Sequence, residues 1–154
     1  MLQADADGTN VELARAVGLS PAATLHRVRR LKELGVIRRV TARLDPGLVG
    51  LPLQVYVSVT MVRNDPVASR GFVETVRDMP QVISADWVAG ETDAMLLVVA
   101  RDVGELQTVL TRLATRGGQR LTTLLRLDEI KPASPLPLAP THAAVRRSTR
   151  RDPG

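Results

Sequence analysis

The sequence contains no cysteine. That excludes disulfides, thiolate zinc sites, iron–sulfur clusters and cysteine nucleophiles. Aromatic residues are almost as scarce: Tyr56, Phe72 and Trp87 complete the set. The core must therefore be aliphatic, and stacking of bases on exposed rings is ruled out as the main mode of nucleic-acid binding. His26 and His142 are the only histidines and lie far apart in the chain. A histidine metal site is not expected, nor is any cofactor. No apolar run approaches the ~18 residues of a membrane span. No charged-then-apolar leader opens the chain. The expectation is a cytoplasmic protein with no membrane partner.

What is present is a 154-residue chain, 44% hydrophobic, with a net charge of +5. That hydrophobic share can build a core, and the length suits one ordinary domain or two small ones. The charge is unevenly placed. Arg15, Arg27, Arg29, Arg30, Lys32, Arg38, Arg39 and Arg43 face a single acid, Glu33, within residues 15–43. Residues 51–131 are close to neutral. A basic N-terminal segment beside a neutral body is the footprint of a polyanion-binding module attached to something else.

Thr9-Asn10-Val11-Glu12 reads as a capping box that opens a first helix. Gly18 can end that helix in the left-handed conformation. Ser20 then caps a second helix with Pro21 at its first position, where a missing N–H costs nothing. The second helix runs to Leu34 and stops at Gly35. Leu25, Val28 and Leu31 share its apolar stripe with Pro21 and Thr24. Opposite lie Ala22, Ala23, His26, Arg29, Arg30 and Glu33, with Arg27 at the flank. Two short helices joined by a glycine turn form a helix-turn-helix pattern. Small residues at the start of the second helix allow close approach to a groove, and arginines one turn later reach guanine edges or phosphates. A plain amphipathic hairpin with a solvated basic face fits the same pattern. Ser20, Ala22, Ala23, His26, Arg27, Arg29, Arg30 and Arg38 are the candidate DNA contacts. Val36–Leu44 is β-branched and cationic, and is expected to form a strand or wing.

Beyond the turn at Asp45-Pro46-Gly47, the second half alternates element types. Val55, Val57, Val59 and Met61 alternate with polar residues as in a strand. A helix from Pro66, a strand at Val82–Val88, an apolar strand at Ala94–Ala100, a helix through Leu113 and a strand at Leu121–Ile130 follow. The order βαββαβ predicts a ferredoxin-like sheet with both helices on one face. The other face then has to be wet or paired with a second chain, and its aliphatic content favours pairing. The expected organisation is a helix-turn-helix domain at 1–44, a linker at 45–52 and a sheet domain at 53–131. A proline-rich, disordered basic tail is expected at 132–154.

These residues resemble the Lrp/AsnC transcription regulators. Glu12-Leu13-Ala14, Val17–Ala22, Arg27–Leu31 and Gly35-Val36-Ile37 are similar to the family's DNA-binding domain. Thr41-Ala42, Leu44-Asp45-Pro46 and Gly50 are similar to its linker. Gly90 and Asp93 resemble the G-x-x-D of its effector-binding sheet, and Arg120 and Thr123 the start of its last strand. Two features depart from the family: a longer helix before the capping box is usual, of which only Leu2–Ala6 remain, and the tail after Lys131 is not a feature assigned to the family.

The resemblance implies an α+β chain, a (winged) helix-turn-helix followed by a ferredoxin-like effector and oligomerisation domain. It implies a sequence-specific regulator, not an enzyme, whose partners are double-stranded DNA, further copies of itself and a small effector, often an amino acid. Gly90, Thr92, Asp93 and Thr123 are its candidate effector contacts. On this reading the Asp93 carboxylate is free to receive an ammonium group, and Asp93→Ala is expected to spare the apo melting temperature. Two alternatives stay open: a subunit like the sirohaem decarboxylases, which resemble the same family, and an effector-binding oligomer that has lost DNA binding. Residues 51–131 contain no histidine, which counts against the first.

Overall fold

The computed structural model describes residues 2–3, 6–61, 65–116 and 118–138. Two compact units divide the chain: Met1–Val40 together with the segment that begins at Lys131, and Thr41–Ile130.

The first unit holds helices α1 (Asn10–Val17) and α2 (Pro21–Glu33). The capping box forms as the sequence predicts. Thr9 Oγ1 accepts from the Glu12 N–H at 3.2 Å, and the Thr9 N–H donates to Glu12 Oε2 at 2.7 Å. Gly18 takes φ 67° and ends α1; a residue with a Cβ would be strained there. Ser20 Oγ accepts from the Ala23 N–H at 3.2 Å and opens α2. Thr24 is buried at 3% exposure, and its hydroxyl has no partner among the described residues. Leu2, Leu13, Val17, Leu19, Thr24, Arg27, Val28 and Leu31 line an open groove on the apolar side of the two helices. The Gln3 side chain brackets the Leu136 backbone: Oε1 accepts from its N–H at 2.7 Å and Nε2 donates to its carbonyl at 3.5 Å. Residues 132–138 form neither helix nor strand, and the arginine-rich end of the expected tail lies outside the described residues.

The second unit contains β1 (Leu53–Met61), α3 (Pro66–Arg77), β2 (Val82–Trp87), β3 (Ala94–Ala100), α4 (Val103–Ala114) and β4 (Gly118–Leu125). The antiparallel sheet has the order β2-β3-β1-β4, the ferredoxin-like arrangement expected from βαββαβ. Period-two alternation sorts β1 cleanly. Val55, Val57, Val59 and Met61 are buried with Phe72 of α3 and Val109 and Leu113 of α4. Their neighbours on β3, Val98, Leu96 and Ala94, face the same way and are equally buried. Tyr56, Ser58, Met95, Leu97 and Leu124 fall on the opposite, helix-free face. The Trp87 ring lies against Phe72 at 6.0 Å between centroids, with its outer side exposed.

Two sequence expectations are corrected. Val36–Leu44 forms no strand; the Ile37 N–H instead caps α2 by donating to the Leu31 carbonyl at 3.1 Å, and a strand needs a ladder partner that this segment does not have among the described residues. The last strand ends at Leu125 rather than Ile130. It ends there because β1 starts at Leu53: the Arg126 N–H bonds the Gln54 carbonyl at 2.9 Å, and little of β1 remains to pair with. The chain beyond is held by side chains. The Arg126 guanidinium donates to Gln54 Oε1 at 2.7 Å and to Glu129 Oε1 at 2.7 Å. Arg43 reaches the same Glu129 oxygen at 2.9 Å. Together the arginines, Arg126 foremost, hold the Glu129 carboxyl below its ordinary range.

At the start of α4 the Glu105 carboxylate accepts from the Arg101 N–H at 2.8 Å, from Gln81 Nε2 at 2.9 Å and from Arg101 Nε at 3.0 Å. These donors, the backbone N–H first, lower its pKa from 4.5 to about 2. A folded-state value below the unfolded one stabilises the fold above the ordinary carboxylate pKa of ~4.3, and that contribution is lost as pH falls toward 2. Acid denaturation followed by circular dichroism is therefore expected to lose part of its pH dependence between about pH 5 and 2 in Glu105→Gln. An unaltered acid limb would contradict this assignment.

Candidate functional site

Two sites arise, one in each unit. In the first, the Ser20 cap and Pro21 fix the start of α2 and so decide which side chains its outer face presents. Ser20, Ala22, His26, Arg27, Arg29 and Arg30 are exposed, and Ala23 is half-buried. The Leu25, Val28 and Leu31 stripe is turned inward, so His26, Arg29 and Arg30 share one cationic face. Arg27 stands apart from them, on the rim of the apolar groove. Arg38 joins Lys32, Arg39, Ile37 and Val40 around a shallow cavity of about 360 Å³ after the helix. Three cations around one concavity can cradle a phosphate while the helix face approaches bases. Lys32 and Arg39 were missed as candidate contacts. Their place in the cationic run was the available signal.

In the second unit, Gly90, Thr92 and Asp93 lie in the turn between β2 and β3. Gly90 has φ 141°, a conformation open to glycine alone for practical purposes. Thr92 Oγ1 donates to the Val59 carbonyl at 2.9 Å, and the Asp93 N–H donates to the same oxygen at 2.9 Å. Asp93 Oδ2 accepts from the Met61 N–H at 2.7 Å. The carboxylate expected to be free for an ammonium group is thus engaged through one oxygen, which ties the turn to the end of β1 at the bulge between Thr60 and Met61. The side chain is nonetheless exposed. Thr123 does not belong to this turn. It lies across β1 on β4, opposite Val57.

A cationic helix-turn-helix unit followed by a ferredoxin-like sheet with a glycine–aspartate turn defines a two-part DNA-binding regulator. Residues 1–38 match a winged helix-turn-helix DNA-binding family, and residues 54–136 match the Lrp/AsnC ligand-binding domain. The chain belongs to the Lrp/AsnC family. It is 39% identical over 137 residues to the HTH-type transcriptional regulator AldR of Mycolicibacterium smegmatis, covering 88% of this chain and 80% of that one. It is 33% identical over 137 residues to the leucine-responsive regulatory protein of Escherichia coli, covering 88% and 84% of the two. A transcriptional regulator from Neisseria meningitidis, solved with L-methionine, superposes with a TM-score of 0.81 at 34% identity, over 88% of this chain and 89% of that one. A feast or famine regulatory protein from M. tuberculosis, also solved with L-methionine, gives 0.75 at 32% identity, over 85% and 88%. Among the described residues no helix can cross a membrane, and no group of His, Asp or Glu side chains could hold a metal.

The Asp93 geometry sets an expectation opposite to the sequence reading. A half-buried N–H that loses a charged acceptor costs about 1–3 kcal/mol. Asp93→Ala should lower the apo stability by that amount in denaturant titration, and an unchanged midpoint would show the Met61 contact to be dispensable.

Proposed function

We propose that the chain is a sequence-specific DNA-binding transcriptional regulator whose sheet unit binds an amino acid at the Gly90–Asp93 turn. The observation that carries this reading is the ordered pair of family domains, with the helix-turn-helix caps formed and its basic face exposed. In this scheme Arg29 and Arg30 read guanine edges, Ala22 and Ala23 allow close approach, and Arg38 neutralises the backbone. Ser20, His26 and Arg27 lie near enough to the helix start to contact phosphate or base. The exposed Asp93 carboxylate has a second oxygen, Oδ1, for an α-ammonium group, and turn amides beside Gly90 suit an α-carboxylate. Thr123 would enter from β4. The relatives solved with L-methionine support this ligand class. The helix-free sheet face, with Tyr56, Met95, Leu97 and Leu124, supplies an apolar surface for a second copy. A dimer would place two α2 helices on a two-fold axis, with half-sites spaced by whole turns of about 34 Å. Relatives that regulate transcription favour this reading over the decarboxylase alternative.

DNA binding is tested by salt and by substitution. Log affinity should fall with log salt at about −0.9 per phosphate contacted. Arg29→Ala and Arg30→Ala should each weaken specific binding by about 1–3 kcal/mol and spare random DNA. Arg38→Ala should weaken both alike. Affinity that ignores salt, or equal losses in all three variants on any DNA, would refute the assignment.

The effector role is separable from the structural one by Asp93→Asn. The amide oxygen can still accept from Met61, but the charge that attracts an ammonium is gone. Apo stability should be largely kept while thermal stabilisation by amino acids disappears. A variant that still responds like the wild type would remove Asp93 from the effector site.

A further inference from the structure

The sheet unit holds a second concavity at the end opposite the Gly90–Asp93 turn. Seven residues of β3 separate the two, a rise of about 20 Å at ~3.3 Å per residue. The cavity has a volume of about 420 Å³, within the ~300–1,000 Å³ usual for small-molecule sites. Its apolar lining is Met79, from the loop after α3, and Val109 of α4, both 3% exposed. Its polar wall is organised in advance. Glu105 holds Arg101 by Nε at 3.0 Å and is itself held by Gln81 at 2.9 Å. The terminal nitrogens of Arg101 therefore have no partner among the described residues. Asp102 Oδ1 is committed to the Glu105 N–H at 2.8 Å as the cap of α4. Arg112, two turns further along the same helix face, lines the cavity and has no carboxylate partner among the described residues.

The geometry points to a small-molecule site for an organic monocarboxylate with a short apolar body: the carboxylate between Arg101 and Arg112, the body on Met79 and Val109. The carboxylate class follows from the charge count. Two arginines and two acids leave the cavity formally neutral, so a polyanion would meet no net attraction. A single carboxylate would take the guanidinium donors that Glu105 and Asp102 leave unused. Met79 and Val109, the two apolar residues of a mostly polar lining, limit the hydrocarbon part of such a ligand to a short one. The site needs no residue of the Gly90–Asp93 turn and no DNA, so it stands or falls separately from the effector reading.

Calorimetric titration of the full chain, without DNA, tests it with three probes: 3-methylbutanoate, 4-methyl-2-oxopentanoate and inorganic phosphate. At least one carboxylate should bind, and more tightly than phosphate. Arg112→Gln, at an exposed side chain with no ion pair among the described residues, should weaken that binding at least about tenfold. Asp93→Asn should leave it unchanged. Four outcomes would overturn the proposal: neither carboxylate binds, phosphate binds as well or better, Arg112→Gln binds like the wild type, or Asp93→Asn abolishes binding.

Discussion

The sheet unit depends on how the β2–β3 turn is fastened to the end of β1. One carbonyl, that of Val59, accepts from both the Thr92 hydroxyl and the Asp93 N–H, and the Asp93 carboxylate closes onto the Met61 N–H. This fastening starts β3 with Ala94 opposite Val59. From that register follow the pairs Val57 with Leu96 and Val55 with Val98, all buried under α3 and α4. A slip of one residue would turn the whole β3 set to the other face and bring Met95 and Leu97 into the core. The same contact thus fixes the core and places Gly90, Thr92 and Asp93 at the sheet end where a ligand can reach them.

Much of this architecture was legible because its causes are local. A capping box needs only Thr9 and Glu12 three residues apart, and a helix start needs only Ser20 followed by Pro21. The alternation of Val55, Val57 and Val59 announces a half-buried strand by itself. The order of elements then leaves few sheet topologies to choose from. What escaped the sequence depends on partners distant in the chain. The Asp93 carboxylate meets an N–H 32 residues away, and nothing next to it in sequence signals that. Val36–Leu44 has strand-forming residues but no strand to pair with. The last strand stops at Leu125 because its neighbour begins at Leu53. Arg101, Gln81 and Glu105 come together only when the end of β3 and the loop before β2 meet at α4.

The two units divide the chemistry between them. The first carries the charge: Arg29 and Arg30, beside His26 on one face of a helix, with Lys32, Arg38 and Arg39 behind it. The second carries shape and near-neutral charge, with an aliphatic core and a turn that has both hydrogen-bonding capacity and exposure. Family membership explains why such units occur together in one chain, and the residues explain what each can do. In the proposed scheme, stability and ligand response share a side chain at this turn. One oxygen of Asp93 serves the fold, and the other would receive the ammonium group.

Whether this chain reads a DNA sequence under the control of an amino acid is decided by selection from a random DNA pool with and without the common amino acids. Enrichment of a sequence with two-fold symmetry is expected, together with a change in its affinity caused by one or a few amino acids. Retention of all DNA alike, with no amino acid altering it, would show that the chain is not an amino-acid-responsive reader of sequence.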